Sequence, residues 1–155
     1  MGQGESSVQS RQKCREIMTK NVRTATREDS LRDVAATMRD GDMGAVPIFD
    51  GERLVGIVTD RDIVVRAVSE GKGPDSPVSE AMTADLFVVR PDDFVFEAVR
   101  LMGDKQIRRV PVVNEDGSLA GIIAMADVAL EMEDQREIAE TMEEISSGPA
   151  FWQKA

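Results

Sequence analysis

The chain has 155 residues, 41% of them hydrophobic and 31% charged, with a net charge of −10 and a pI near 4.5. That composition fits one ordinary globular domain or two small repeats sharing a core, and so acidic a surface repels phosphate backbones, so no nucleic-acid partner is expected. The absence of histidine excludes Ser-His-Asp and Cys-His catalysis and imidazole-bound metal, and the single cysteine, Cys14, allows no internal disulfide.

Residues 1–13 read as a polar tail without the apolar core of a secretion signal. No apolar run approaches the ~20 residues that cross a bilayer, so the expectation is a cytoplasmic protein with no membrane contact. Val22 to Ala25 suits a short strand, and Leu31, Val34, Ala35 and Met38 recur at helical spacing, with Gly41 at the helix end. Ala45 to Phe49 and Leu54 to Val58 are strands joined through Asp50-Gly51-Glu52, and a helix follows from about Asp60. Glu70 to Pro77, rich in glycine and proline, is a linker. Beyond it the pattern returns: a strand over Leu86 to Val89, then a helix on Val95, Ala98, Val99 and Met102. Strands Arg109 to Val113 and Leu119 to Ile123 follow, and then a helix from about Met125.

The two halves superimpose in sequence. At an offset of 64, Glu16, Met18 and Thr19 fall on Glu80, Met82 and Thr83, and Val46-Pro47 falls on Val110-Pro111. After one inserted residue near Asp116-Gly117 the offset is 65, and Gly56-Ile57 meets Gly121-Ile122 while Asp62 meets Asp127. The fold class expected is α/β (α+β), two β-α-β-β-α repeats over residues 14–72 and 78–135. A repeat of ~60 residues buries too little to stand alone, so the two are expected to pack sheet to sheet. Residues 136–155 complete the chain as an acidic helix and tail. The helix reads from Ala129 to Ser146 with an apolar stripe of Ile138, Met142 and Ile145; Ser147-Gly148-Pro149 stops it, and Phe151-Trp152 follows.

Thr59-x-x-Asp62 stands at a strand-to-helix junction, where Thr can cap the N3 amide and the acid favours the positive helix end. With Thr59 as the cap, Asp62 is expected to matter little to helix stability. The same geometry offers a carboxylate to ribose hydroxyls beside amides that favour phosphate. In the second copy Ala124 replaces the hydroxyl residue and Asp127 remains.

Ile17-Met18-Thr19, Ala45-Val46-Pro47-Ile48 and Gly56-Ile57-Val58-Thr59-Asp60-Arg61-Asp62, repeated as Ala81-Met82-Thr83, Arg109-Val110-Pro111-Val112 and Gly121-Ile122-Ile123-Ala124-Met125-Ala126-Asp127, resemble the cystathionine-β-synthase-type (CBS) domain family. The resemblance runs from about Glu16 to Glu131 and is closest to small bacterial and archaeal proteins made of little beyond two repeats. It implies a pseudo-twofold CBS pair that senses AMP, ADP, ATP, NAD or S-adenosylmethionine, with no catalysis, no required cofactor and no metal. By family geometry one cleft combines Ile57, Thr59, Arg61 and Asp62 with Thr83, Asp85, Leu86, Phe87, Ile107, Arg108, Arg109 and Pro111. The other, weaker, combines Asn21, Val22, Arg23, Met43, Gly44, Ala45 and Pro47 with Ile122, Ala124 and Asp127. Phe87, Leu86 and Ile107 are candidates for an adenine slot, and Arg108 and Arg109 for phosphate. Strand alternation lets only one of the two arginines face a ligand. The resemblance also implies a homodimer, with Leu31, Val34, Met38, Ile63 and Ala67 as candidate contacts, and an effector protein downstream. The alternative is a constitutive dimerisation or interaction module that binds no ligand.

Overall fold

The computed structural model describes residues 12–131 and 140–145. The expectations for the N-terminal tail, Ile138, Ser147-Gly148-Pro149 and Phe151-Trp152 lie outside the described residues. In chain order the elements are α1 (Cys14–Ile17), β1 (Ala25–Thr26), α2 (Leu31–Gly41), β2 (Ala45–Asp50), β3 (Arg53–Thr59), α3 (Asp60–Asp62), a π-helix (Ile63–Val68), a 3-10 turn (Val78–Glu80), α4 (Val95–Lys105), β4 (Arg109–Val113), β5 (Leu119–Ala124) and α5 (Met125–Glu131). Residues 140–145 are again helical.

The chain divides into two compact units, neither of which is one sequence repeat. A continuous unit spans Asn21–Leu86, and a discontinuous unit joins the chain up to Lys20 with the chain from Phe87 onward. The division falls inside the repeats expected at 14–72 and 78–135 because each repeat's Met-Thr segment packs on the other repeat's hairpin. Thr83 exchanges both backbone hydrogen bonds with Ile57 (2.8 and 3.0 Å), and Thr19 does the same with Ile122 (2.8 and 3.1 Å).

In the continuous unit β1 lies parallel to β2, and β2 runs antiparallel to β3. Gly51, with φ +63°, makes the hairpin turn. Helix α2 begins at Ser30, whose Oγ accepts the Asp33 N–H at 3.1 Å. It closes at Asp42, which takes the left-handed conformation (φ 49°) one residue beyond Gly41. The side chains of Leu31, Val34, Met38, Val46, Ile48, Val58 and Ala67 form this unit's core, joined by Val78 and Ala81.

The discontinuous unit holds the antiparallel pair β4–β5. Its core joins Cys14 and Ile17 to Val95, Val99, Met102, Val110, Val112, Ile123, Met125, Val128 and Ile145. The Glu97 carboxylate accepts the Phe94 N–H at 3.2 Å at the start of α4, and Gln106 (φ 57°) ends that helix as Asp42 ends α2.

Two expected elements differ. The strand over Leu86 to Val89 reduces to one parallel bridge, Val89 to Val112. Past it, the Arg90 N–H is taken by the Asp93 carboxylate at 2.8 Å and Pro91 has no N–H to give, so the ladder cannot lengthen. The first strand is likewise shorter and later than Val22 to Ala25, running Ala25–Thr26 after Asn21, with φ 56°, turns the chain ahead of it. After Thr59, only three residues wind as α-helix before the wider π-helix. The consecutive β-branched residues Ile63-Val64-Val65 crowd a tight α turn.

Candidate functional site

Each hairpin ends at a helix start, and that junction carries the polar residues. In the continuous unit Ala45 is the cross-strand partner of Thr59, and Pro47 of Ile57. Alternation puts these four on one face, while Val46, Ile48 and Val58, all fully buried, fill the core side. The Gly44 carbonyl accepts the Asp60 N–H at 3.1 Å, fastening the junction. The Thr59 hydroxyl accepts the Asp62 N–H and the Asp62 carboxylate accepts the Thr59 N–H, both at 3.0 Å. This reciprocal box corrects the expectation that Asp62 is spare: its Oδ2 is half of the cap. Its Oδ1 lies 3.7 Å from Arg66 Nε, and Arg66 also donates to the Met82 carbonyl at 3.3 Å.

The pair Thr83–Ile57 sets the Met-Thr segment along β3. Asp85 is exposed and Leu86 half-buried. Asn21, with φ 56°, turns the chain ahead of β1, followed by half-buried Val22 and exposed Arg23. The Arg23 stem and the Met43 sulfur both lie against Gly41. Arg61 is exposed; its backbone N–H donates to Asp60 Oδ1 at 2.8 Å.

In the discontinuous unit Arg109 is the cross-strand partner of Ala124, and Pro111 of Ile122. Arg109 therefore shares a face with Pro111, Ile122 and Ala124, and it is half-buried while Arg108 is exposed. The Arg108 carbonyl accepts the Met125 N–H at 2.8 Å, the counterpart of the Gly44–Asp60 bond. Asp127 is also half-buried, and its carboxylate makes no hydrogen bond or ion pair among the described residues. Phe87 lies under Lys105, with Nζ 4.8 Å from the ring centroid. Ile107 packs against the core.

Arg109 and Ala124, which family geometry assigns to different clefts, are direct neighbours in the strand register, as are Ala45 and Thr59. The arginine pair goes with Ala124 and Asp127, and Thr59 with Gly44 and Ala45. Phe87 and Ile107 fall in the arginines' unit, and Leu86 in the other. Thr19, which matches Thr83 at the offset of 64, holds the corresponding place beside Ile122.

A cleft of about 370 Å³ opens beside the arginines, lined by Arg108, Arg109, Ala124, Met125, Ala126, Ala129, Met142 and Ile145. Among the described residues no three His, Cys, Asp or Glu side chains converge as a metal site. No helix among them is long and apolar enough to cross a membrane.

Two α/β units built on one pattern, each closing a hairpin onto a helix start, define a tandem-repeat protein. The CBS domain family model matches twice, over residues 14–69 and 78–134, and the chain belongs to that family. The chain is 35% identical over 138 residues to the uncharacterized protein YlbB of Bacillus subtilis, covering 88% of this chain and 93% of that one. Among solved structures, Hypoxic Response Protein I, which holds two coordinated zinc ions, matches at 34% identity and TM-score 0.70, covering 77% of this chain and 98% of that one. The CBS domain pair of MJ0100, in complex with 5-methylthioadenosine and S-adenosyl-L-methionine, matches at 26% identity and TM-score 0.70 over 76% of this chain and 93% of that one. CBSX2 in complex with AMP matches at 28% identity and TM-score 0.67 over 77% and 94%.

Proposed function

We propose that this chain is a regulatory, non-catalytic module that binds an adenine nucleotide or a related adenosyl compound, with one binding place on each unit. The observation that carries the reading is the matched pair of strand-to-helix junctions. One offers a hydroxyl and a carboxylate at a helix start, Thr59 and Asp62; the other offers Arg109 on the face of Pro111 and Ile122, with Asp127 nearby in sequence. Carboxylates there suit ribose hydroxyls, and guanidinium groups suit phosphate. The adenosyl ligands bound by the CBS pair of MJ0100 and by CBSX2 support the ligand class. AMP, ADP, ATP, NAD and S-adenosylmethionine are the candidates. Neither a cofactor nor a metal is required by this reading.

A thermal-shift panel of those five compounds tests it. A ligand at 100 times its Kd adds ~2.7 kcal/mol of stability, a shift of several degrees for a chain of this size. A panel in which none of the five moves Tm overturns the reading.

Exposed apolar residues favour a second role beside the first, self-association as a homodimer, with an effector protein downstream. Val64 and Val68, four apart on the π-helix, are 58% and 63% exposed, and Leu130 is 85% exposed. Leu31, Val34, Met38 and Ala67, expected at the dimer contact, are instead buried in the core. Sedimentation of wild type against Val64→Asp/Val68→Asp tests this role; an unchanged monomeric mass in both removes it.

A further inference from the structure

We propose that Arg66 sets which charge of adenosyl ligand the continuous unit accepts: held beside the Asp62 carboxylate, its guanidinium favours an anionic compound there and disfavours a cationic one. The inference rests on the reading of Asp62 as a ligand contact, and it adds a specificity-determining residue on the π-helix.

The two junctions carry their cations on different elements. At the offset of 64 the strand position of Arg109 holds Ala45, and at the offset of 65 the helix position of Arg66 holds Glu131. Ala45, Pro47, Ile57 and Thr59, which share one face at the continuous unit's junction, include no cation. The helix start that follows them, Asp60-Arg61-Asp62, is net negative, and in a chain of net charge −10 it would repel phosphate. Arg66 supplies from the helix the charge that Arg109 supplies from the strand in the other unit.

The guanidinium is held on two sides. Its Nε stands 3.7 Å from Asp62 Oδ1, and Nη1 donates to the Met82 carbonyl at 3.3 Å. That carbonyl is itself fixed: the Met82 N–H donates to the Val78 carbonyl at 3.1 Å, and the next residue, Thr83, exchanges both backbone hydrogen bonds with Ile57. A long side chain that would otherwise sweep through solvent is thereby kept beside Asp62. The Arg66 side chain is still 51% exposed, so the ion pair adds little to stability. A guanidinium has more N–H donors than these two contacts use, and it stays charged at every physiological pH.

The test uses the full chain carrying Arg109→Ala, which removes the strand cation of the other unit. Calorimetry then compares AMP, an anion, with S-adenosylmethionine, a net cation. Adding Arg66→Gln is expected to lower the ratio of AMP affinity to S-adenosylmethionine affinity by about tenfold or more. Arg66→Lys, which keeps the charge, should leave the ratio near its starting value, and Asp62→Ala should weaken both compounds. Gln and Lys each keep an N–H for the Met82 carbonyl, so neither disturbs that segment. If Arg66→Gln weakens both compounds by one factor, or changes neither, Arg66 does not select by charge and the inference is overturned while the Asp62 reading stands. If Asp62→Ala in the same background alters the binding of neither compound, Asp62 is no ligand contact and both fall together.

Discussion

Gly121 lies so close to Thr19 that a β-carbon on it would stand 2.5 Å from the Thr19 carbonyl oxygen. The same relationship recurs between Gly56 and Thr83, at 2.9 Å. Each glycine is the gap through which the Met-Thr segment of one repeat reaches the hairpin of the other. The obstructing atom is backbone and itself hydrogen-bonded, so it cannot step aside. Gly121→Ala and Gly56→Ala are therefore expected to cost about 1–3 kcal/mol each through overpacking. Thermal melts read this as a drop of several degrees. Gly73→Ala is the control, since nothing lies within 4 Å of its β-carbon position. If all three melt together, the close approach carries no stability.

Asp62 has two duties in this arrangement. Its carboxylate accepts the Thr59 N–H and is the proposed ribose acceptor. Asp62→Ala is expected to lower stability by about 1 kcal/mol as half of the capping box is lost. Ligand affinity in the continuous unit should fall at the same time. Asp62→Asn keeps an acceptor for the N–H and should recover most of the stability but not the binding. Urea melts and calorimetry on the two variants separate the duties; equal binding by Asp62→Asn and wild type would remove the carboxylate from the ligand's environment.

Phosphate discrimination should follow the arginines and not the threonine. Arg109 shares its face with Ala124, and Thr59 belongs to the other unit. Arg109→Ala is expected to narrow the preference for AMP over adenosine by about tenfold or more. Thr59→Ala should leave that preference intact while weakening a separate binding event. S-adenosylmethionine carries a cationic sulfonium and should not depend on Arg109. Equal affinity of wild type for adenosine and AMP would sink the phosphate assignment.

Cys14 is fully buried, and burial, with Asp93 and Glu97 nearby, pushes its thiol from 9.0 up to about 12. The folded protein thus keeps a proton that the unfolded chain releases above pH 9. Its contribution to stability is whole below pH 9 and is lost as pH climbs towards 12. A disulfide reagent at pH 8 is expected to label Cys14 only as fast as the chain unfolds. Stability measured against pH from 8 to 11 should fall more steeply for wild type than for Cys14→Ala. Parallel curves would show that the thiol titrates normally.

The hairpins and helices α2 and α4 were legible in the sequence because period-two and period-3.6 patterns and the turn glycines agree there. Arg109 to Val113 is β4 to the residue. The short first strands were not, since their apolar pattern does not reveal the turn at Asn21 or that Asp93 takes the Arg90 N–H. The junction residues Thr59 and Asp62 were visible as a motif, but their division between ligand and cap was not. Which residues stand together depended on strand register. Repeat-to-repeat symmetry says that Ala45 matches Arg109 in rank, and only pairing reveals that each lies beside its own helix start.

The exchanged Met-Thr segments bear on how the chain comes to be folded during synthesis. Every contact within Asn21–Leu86 is available once that stretch has been made. Cys14, in contrast, finds the Phe94 carbonyl 80 positions later, and Thr19 waits for Ile122 at roughly a hundred. On a ribosome the middle of this protein can close first, leaving α1 without its partners until the second hairpin emerges. The beginning of the chain is then among the last parts to be placed, and a stalled or shortened product would expose Cys14 and Ile17.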